Sequence, residues 1–539
     1  MRVPGNSRRE FLSSAVALLA GAGAVPLLGA RAQHSPASEG RVRAGSAGFN
    51  VRSFGAAGDG RRLDTNEVNK ALEAAARAGG TVVFPGGSYL CHSIHLKSNV
   101  ALYLDHGATI IAADSPAPGS TSPAYDPAEP NLVADEYEDY GHSHWHNSLI
   151  WGEGLENVSI LGPGRVWGRG LSKGYGSGPK AETPGVGNKA ISLKNCRNVT
   201  LRDFSIFHGG HFGILATGVD NFTIDNLLID TNRDGIDIDC CRNVRVSNCS
   251  VNSPWDDGIC LKSSFGLGHA RATEDVTITN CYVTGDYQEG TLLDGTWKQF
   301  APGLPLARTG RIKFGTESNG GFKNIAVSNC VFEACQGFAL ETVDGGFLED
   351  VTITNITMRD ITSAPIFLRL GSRLRGPNGI SVGKLRRVMI SNLVCSNSAS
   401  RLGSLISGIP GHPIEDVRFS DIYIQHRGGG TYTDAAIEPP EKESAYPEPN
   451  MFGAMPAQGF YFRHVNGLEM SHIEIEAMAP DARPAFVLED VETVDLLRIR
   501  VPRSSGETSF ALKNVRDFDL HLSRPVPDTH LDRVEQKNL

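Results

Sequence analysis

"NVTLRDFSI" at residues 198–206, "NFTIDNLLI" at 221–229 and "NVRVSNCSV" at 243–251 are one phrase written three times, with starts 23 and 22 residues apart. Each copy opens on Asn and then alternates apolar with polar residues, as at Val199 and Leu201 or Val244 and Val246. A period of two belongs to a strand with one buried face. Self-similarity in the low twenties belongs to stacked coils, each burying its apolar face against the next. Further copies stand at 275–283, 324–332 and 350–358, weaker ones at 387–395 and 416–424, and the widening gaps between them hold loops. The expected fold class is all-β, a parallel β-helix, with no helical periodicity from about 150 to 425. A leucine-rich horseshoe has a similar period but needs a Leu ladder, and these phrases favour Val and Ile.

Outward from the repeats, "DTNEVNKALEAAARAGG" predicts one helix, with Asp64 or Thr65 as N-cap and Gly79-Gly80 as its stop. It would cover the open end of the solenoid, whose strand edges are otherwise unpaired. Residues 1–32 read as a signal peptide of twin-arginine type: Arg8-Arg9 precedes an Ala/Leu-rich run ending in Ala30-Arg31-Ala32. The expected organisation is a leader (1–32), a linker (33–48) and a single β-helix domain (49–539). That domain has an N-terminal cap over about 49–115 and a long Pro/Glu-rich loop over about 426–460. The expected location is periplasmic or extracellular.

Of the ten cysteines, Cys249, Cys281 and Cys330 occupy the same place in "SNC", "TNC" and "SNC". A repeated place implies an inward column of small free thiols rather than bridges; the adjacent Cys240-Cys241 pair is read the same way. A formal charge of −9 argues against a nucleic-acid or anionic-membrane partner.

The chemistry gathers in "NRDGIDIDCCRNVRVSNCSVNSPWDDGICLK", residues 232–262. Setting "GIDID" over "GICLK" aligns Ile236 with Ile259 and Ile238 with Leu261, and so places Asp234 opposite Asp257. Neighbouring strands lie about 4.8 Å apart, so Asp234, Asp256 and Asp257 should share one corner of one sheet. Asp-Gly is also good turn chemistry. Three stacked carboxylates nonetheless cost stability unless used or neutralised, and calcium is an alternative use of them.

These residues carry a resemblance. "NRDGIDID", then "DDGICLKS", then "FGTESNGGFKNIAVSNC" resembles the blocks of glycoside hydrolase family 28, the polygalacturonase family, over roughly residues 50–400; "FGAAGDGRRLDTNEVNKALEAAARAGGTVVFPGGSYLC" resembles the cap of pectin-active β-helix enzymes. The resemblance implies a right-handed helix, hydrolysis of uronic-acid-rich pectic chains with inversion, and no cofactor or metal. It gives Asp256 the place of the general acid, and Asp234 and Asp257 the places of the pair that activates water. That division is sound chemistry, because one carboxyl must protonate the leaving oxygen while an ionised partner takes a proton from water.

The chain departs from the family at two places. Gly310 stands near the position of the family's histidine, and Ala339 and Glu341 stand where an Arg and a Lys bind the substrate carboxylate. A literal "RIK" occurs one coil early, so Arg311 and Lys313 are the expected carboxylate clamp. Lys262, Asp237, His211 and Glu317, in or near the same blocks, are expected to bind substrate. The 285–308 insertion should wall the cleft, with Trp297 as a sugar platform. His142, His144 and His146 alternate along a possible strand, a spacing open to metal, or with Trp145 to a sugar wall. The expected protein is thus an inverting glycoside hydrolase, a monomer, free of membrane in its mature form, acting on a pectic or other uronic-acid-containing polysaccharide or oligosaccharide. The alternatives are a polysaccharide lyase and a non-catalytic carbohydrate-binding β-helix.

Overall fold

The computed structural model describes residues 48–539 except 117–121, 123, 131–135, 139, 175–179 and 502–507. The leader and the linker as far as residue 47 lie outside the described residues. The last linker residue, Gly48, already begins a strand, Gly48–Asn50, paired with Gly80–Phe84.

One coil consists of the strands Lys189–Lys194, Arg197–Arg202 and Ser205–Phe207, and the next of Phe212–Thr217, Asp220–Asp225 and Leu228–Asp230. They pair in parallel residue for residue: Ile191 with Ile214, Val199 with Phe222, Ile206 with Ile229. Each of these apolar residues is buried, so the alternation seen in sequence becomes three inward columns of one continuous core. From Phe322 onward the second and third strands of a coil fuse, as in Phe322–Glu333, Phe347–Arg359 and Lys384–Ser396.

The Asn that opens each phrase turns the corner. Asn198, Asn221 and Asn243 have φ of 55°, 54° and 55°, a left-handed conformation that Asn tolerates better than other side chains. Their amides also climb the stack: Asn221 Nδ2 donates to Asn198 Oδ1 at 2.9 Å, and Asn243 Nδ2 to Asn221 Oδ1 at 2.8 Å. Two demands, one backbone and one side chain, thus select the same residue at the corner of these three coils.

The predicted helix runs over Thr65–Ala78 and buries Val68, Ala71, Leu72 and Ala75 against the first coils, ending at Gly79 with φ +69°. Asp64 stands at the N-cap but does not cap with its side chain. Its carboxylate instead accepts from the backbone N–H groups of Ala57 and Gly58, at 2.7 and 2.9 Å, fastening the preceding loop. At the far end the last strand pair is antiparallel, Phe510–His521 with Thr529–Asn538. This hairpin covers the terminal edge, a device the repeat pattern did not announce. One further departure is a helical turn, Thr291–Asp294, inside the 285–308 insertion.

All ten cysteines are buried and free. Cys281 lies in a thiol ladder with Cys249 and Cys330, and the hydrogen bond its S–H donates to Cys249, ahead of burial, is the main reason its thiol is pushed up to about 12.

Candidate active site

The register inferred from the acidic stretch is the register found: Ile236 pairs with Ile259 and Ile238 with Leu261, and Gly235 N–H donates to the Asp257 carbonyl at 3.0 Å. The recurrent Asp-Gly has a packing cause. A Cβ on Gly235 would stand 2.4 Å from the Gly258 carbonyl oxygen, and one on Gly258 would stand 2.8 Å from that of Gly310. Only glycines let these coils close at the acidic corner. Gly310 itself has φ +44°, and a Cβ there would lie 2.2 Å from the Thr284 carbonyl oxygen, so this backbone has no room for a histidine at that point.

Asp234, Asp256 and Asp257 each present a carboxylate oxygen within 4.8 Å of the other two. Their surroundings differ. Asp257 accepts from Arg311 Nε at 2.9 Å and lies 3.6 Å from Lys313 Nζ. Burial raises its proton affinity, but Lys313 and Arg311 outweigh burial and hold the carboxyl below its ordinary range. Asp234 is buried, and burial followed by the charges of Asp256 and Asp237 pushes its carboxyl well above that range. Asp256, its side chain 25% exposed, stands at the mouth; its Oδ2 accepts from Arg233 Nε at 3.0 Å and its Oδ1 from the Asp257 N–H at 3.1 Å. Three identical groups are thereby set apart by what touches them.

On one flank lie Asp237, Lys262 and Glu317, all expected to meet substrate and all buried. Lys262 Nζ sits 3.2 Å from Glu317 and 3.7 Å from Asp237, His142 Nε2 lies 3.6 Å from Asp237, and Arg375 donates to Glu317 at 2.7 Å. Burial opposes ionisation of Glu317, yet Lys262, His142 and Arg375 together hold it well below its usual range. These residues brace one another under the acids.

On the other flank the expected clamp is in place but occupied. Arg311 and Lys313 are buried, and the carboxylate they face is Glu448, brought in by the 426–460 loop: Arg311 donates to it at 2.5 Å and Lys313 Nζ is 3.3 Å away. Glu341, fully buried, lies 3.7 Å from Lys313, and burial raises its carboxyl to about 8. The Tyr446 ring of the same loop lies 5.6 Å from Lys313 Nζ. No sequence pattern joins Glu448 to Arg311, 137 residues away, which is why the sequence showed only a long Pro/Glu-rich loop there.

The other expectations separate. Trp297 is 44% exposed, and its ring contacts are edge-on with Tyr282 and Tyr287 rather than with a member of the acidic cluster. The insertion that carries it is pinned by Asp230, which accepts from Gly290 and Leu292 N–H, and reaches His208 through Glu289 at 3.2 Å. His211 stacks on Phe212, and burial, then Arg233, holds its imidazole well below the usual histidine range. The three alternating histidines do not converge: His142 faces Asp237, His144 contacts Ser143, and His146 stacks on Trp151 and meets Glu129 and Glu153. Trp145 is not a sugar wall, being buried with its Nε1 donating to Thr217 at 3.0 Å. Sequence reading passed over Trp255, which stands beside Asp256 and is 39% exposed; its signal was the "WDD" triplet itself.

Residues 184–375 match the family model "Right handed beta helix region", and residues 48–131 match "Rhamnogalacturonase A/epimerase, pectate lyase-like". A probable polygalacturonase of Vitis vinifera is 22% identical over 69% of this chain and 73% of its own length. An exopolygalacturonase from Thermotoga maritima superposes with a TM-score of 0.54 at 16% identity, covering 91% of this chain and 94% of that one. The family 28 exopolygalacturonase of Yersinia enterocolitica gives 0.56 at 18%, covering 89% and 79%. Domain models and fold agree that the chain is a right-handed parallel β-helix, and its sequence is similar to polygalacturonases such as those of glycoside hydrolase family 28.

Proposed function

We propose that the protein is a glycoside hydrolase that cleaves glycosidic bonds in a pectin-like polysaccharide or its oligosaccharides, with polygalacturonase-like chemistry. One observation carries the reading: three carboxylates share a corner, one pushed to hold its proton and one held ionised by two cations. Environments that drive like groups apart in this way supply an acid and a base at one pH. Asp257, fixed between Arg311 and Lys313, is the group to take a proton from water. Asp234, on which Asp256 at the mouth is the strongest charge, delivers the proton to the leaving oxygen. This division differs from the one the resemblance implies, because at Asp234 burial and the charges of Asp256 and Asp237 outweigh Lys262 and Arg233, whereas at Asp257 the cations Lys313 and Arg311 outweigh burial. Trp255 offers an exposed aromatic face for a sugar ring beside them.

Inversion rests on the resemblance. The closest oxygens here lie within 4.8 Å of one another, whereas inverting carboxyl pairs are usually about 6.5–9.5 Å apart; proton NMR of the first-formed anomer decides it. Calcium at this corner would have to compete with Arg233, Arg311 and Lys313. A lyase needs a basic Arg or Lys, and those beside the acids already face carboxylates. Export through residues 1–32 is part of the proposal. The test is a panel of pectic polysaccharides scored together for new reducing ends and for the ultraviolet absorbance of unsaturated uronates. Reducing ends without absorbance are expected; absorbance would replace hydrolysis with elimination.

A further inference from the structure

The Arg311–Lys313 pair is the natural seat for a substrate carboxylate, and the chain has filled it. Arg311 gives Nε to Asp257 at 2.9 Å, one terminal nitrogen to Gln336 at 2.7 Å and the other to Glu448 at 2.5 Å. Lys313 Nζ lies 3.3 Å from Glu448, 3.6 Å from Asp257 and 3.7 Å from Glu341. The side chains of Arg311 and Lys313 are 1% and 3% exposed while that of Glu448 is 25% exposed, so the carboxylate lies between the cations and solvent. An entering sugar therefore meets Glu448 first. The other cations at the acids are engaged likewise, Lys262 by Glu317 and Asp237, and Arg233 by Asp256.

We propose that Glu448, a carboxylate supplied by the chain itself in the seat of Arg311 and Lys313, makes the site select a neutral sugar residue and reject a uronate at the bond it cleaves. The inference rests on the hydrolase reading and narrows its substrate: an uncharged ring, hydroxymethyl-, methyl- or ester-bearing, within a pectin-like chain. The physical basis is exclusion as much as attraction. A uronate carboxylate placed over this seat would face the Glu448 carboxylate, with the neighbouring cations already paired, and like charges brought together in a desolvated site disfavour binding strongly. A neutral ring meets no such charge and can use Glu448 as a hydrogen-bond acceptor for its hydroxyls.

The test reads binding, not turnover. Trigalacturonate and its carboxyl-reduced, neutral counterpart are titrated calorimetrically into Asp234→Asn protein, with and without Glu448→Gln. With Glu448 present the neutral trisaccharide should bind at least about tenfold more tightly than the acid, and Glu448→Gln should raise affinity for trigalacturonate by a similar factor. Glu448→Ala, which empties the seat, serves as a second variant should the amide disturb the loop, and the thermal midpoint confirms that each is folded. Equal or tighter binding of the acid with Glu448 in place overturns the proposal. So does an acid affinity unchanged in both Glu448 variants, including one where nothing binds. Failure of the hydrolase reading would show separately, as wild-type protein that produces no reducing ends while retaining the binding preference.

Discussion

Asp234, Asp257 and Glu341 are the same functional group in three electrostatic situations, and their differences are measurable. Glu341 has no hydrogen-bond partner for its buried oxygens among the described residues and holds its proton up to about pH 8, against an ordinary value of 4.5. Between those values the folded chain keeps a proton that the unfolded chain releases, so this residue's contribution to stability falls as pH rises through the window. Glu341→Gln removes the dependence. The thermal midpoint of the variant relative to wild type should therefore climb between about pH 5 and about pH 9, whereas a constant offset would show that Glu341 ionises normally. Trp255→Ala should raise KM roughly three- to tenfold and leave kcat within about twofold, as expected when a stacking surface is lost and the chemistry is not. Steady-state kinetics on whichever pectic substrate is cleaved separates the two constants. The acids themselves were legible in the sequence because one coil period brings Asp234 over Asp257. Their individual protonation was not, since it depends on Arg233, Arg311 and Lys313, whose directions a periodicity does not give.

At the scale of the element, the corners of the first three phrases are made by Asn198, Asn221 and Asn243, with φ near 55°, whose amides bond along the stack. Asn221→Ala places a Cβ-bearing residue without that amide in the left-handed region and should cost about 1–2 kcal/mol. Asn221→Gly, free of the backbone strain, should cost less; chemical denaturation of both variants checks the order. The recurring Asn was visible at once, but its two reasons appeared only when the corner conformation and the ladder could be seen together. Thiol titration of the denatured, unreduced protein should find ten free thiols, and fewer would contradict the buried column of unbridged cysteines. That column was readable because Cys249, Cys281 and Cys330 recur at one place in the phrase. The closing hairpin was not readable in this way, since Thr529–Asn538 pairs backwards and breaks the repeat that revealed everything else.

At the scale of the molecule, the sheet that carries the acids is roofed on both sides of them. Trp145 packs with Phe212 and Leu215 toward the N-terminal end, and Phe452, Met455 and Ala457 pack on Phe367 and Leu405 toward the C-terminal end. Among the described residues the outward column therefore leaves no long open groove at Leu215, Ala339 or Leu405, all of them buried. On the proposed hydrolysis, a site closed in this way along the stack would take a chain end rather than a chain middle. Short products should appear from the first minutes while the viscosity of the polysaccharide scarcely falls; a rapid fall in viscosity would mean internal cleavage. The roof comes from segments of irregular conformation whose contacts span scores of residues, and this is why it escaped a reading based on period. The proposed hydrolysis rests on three carboxylates at one corner. Its most direct test is the turnover of Asp234→Asn, Asp256→Asn and Asp257→Asn measured beside their thermal midpoints. Each variant is predicted to remain folded and to lose on the order of 10²–10⁴ in kcat, and a folded variant that turns over like the wild type would contradict the account.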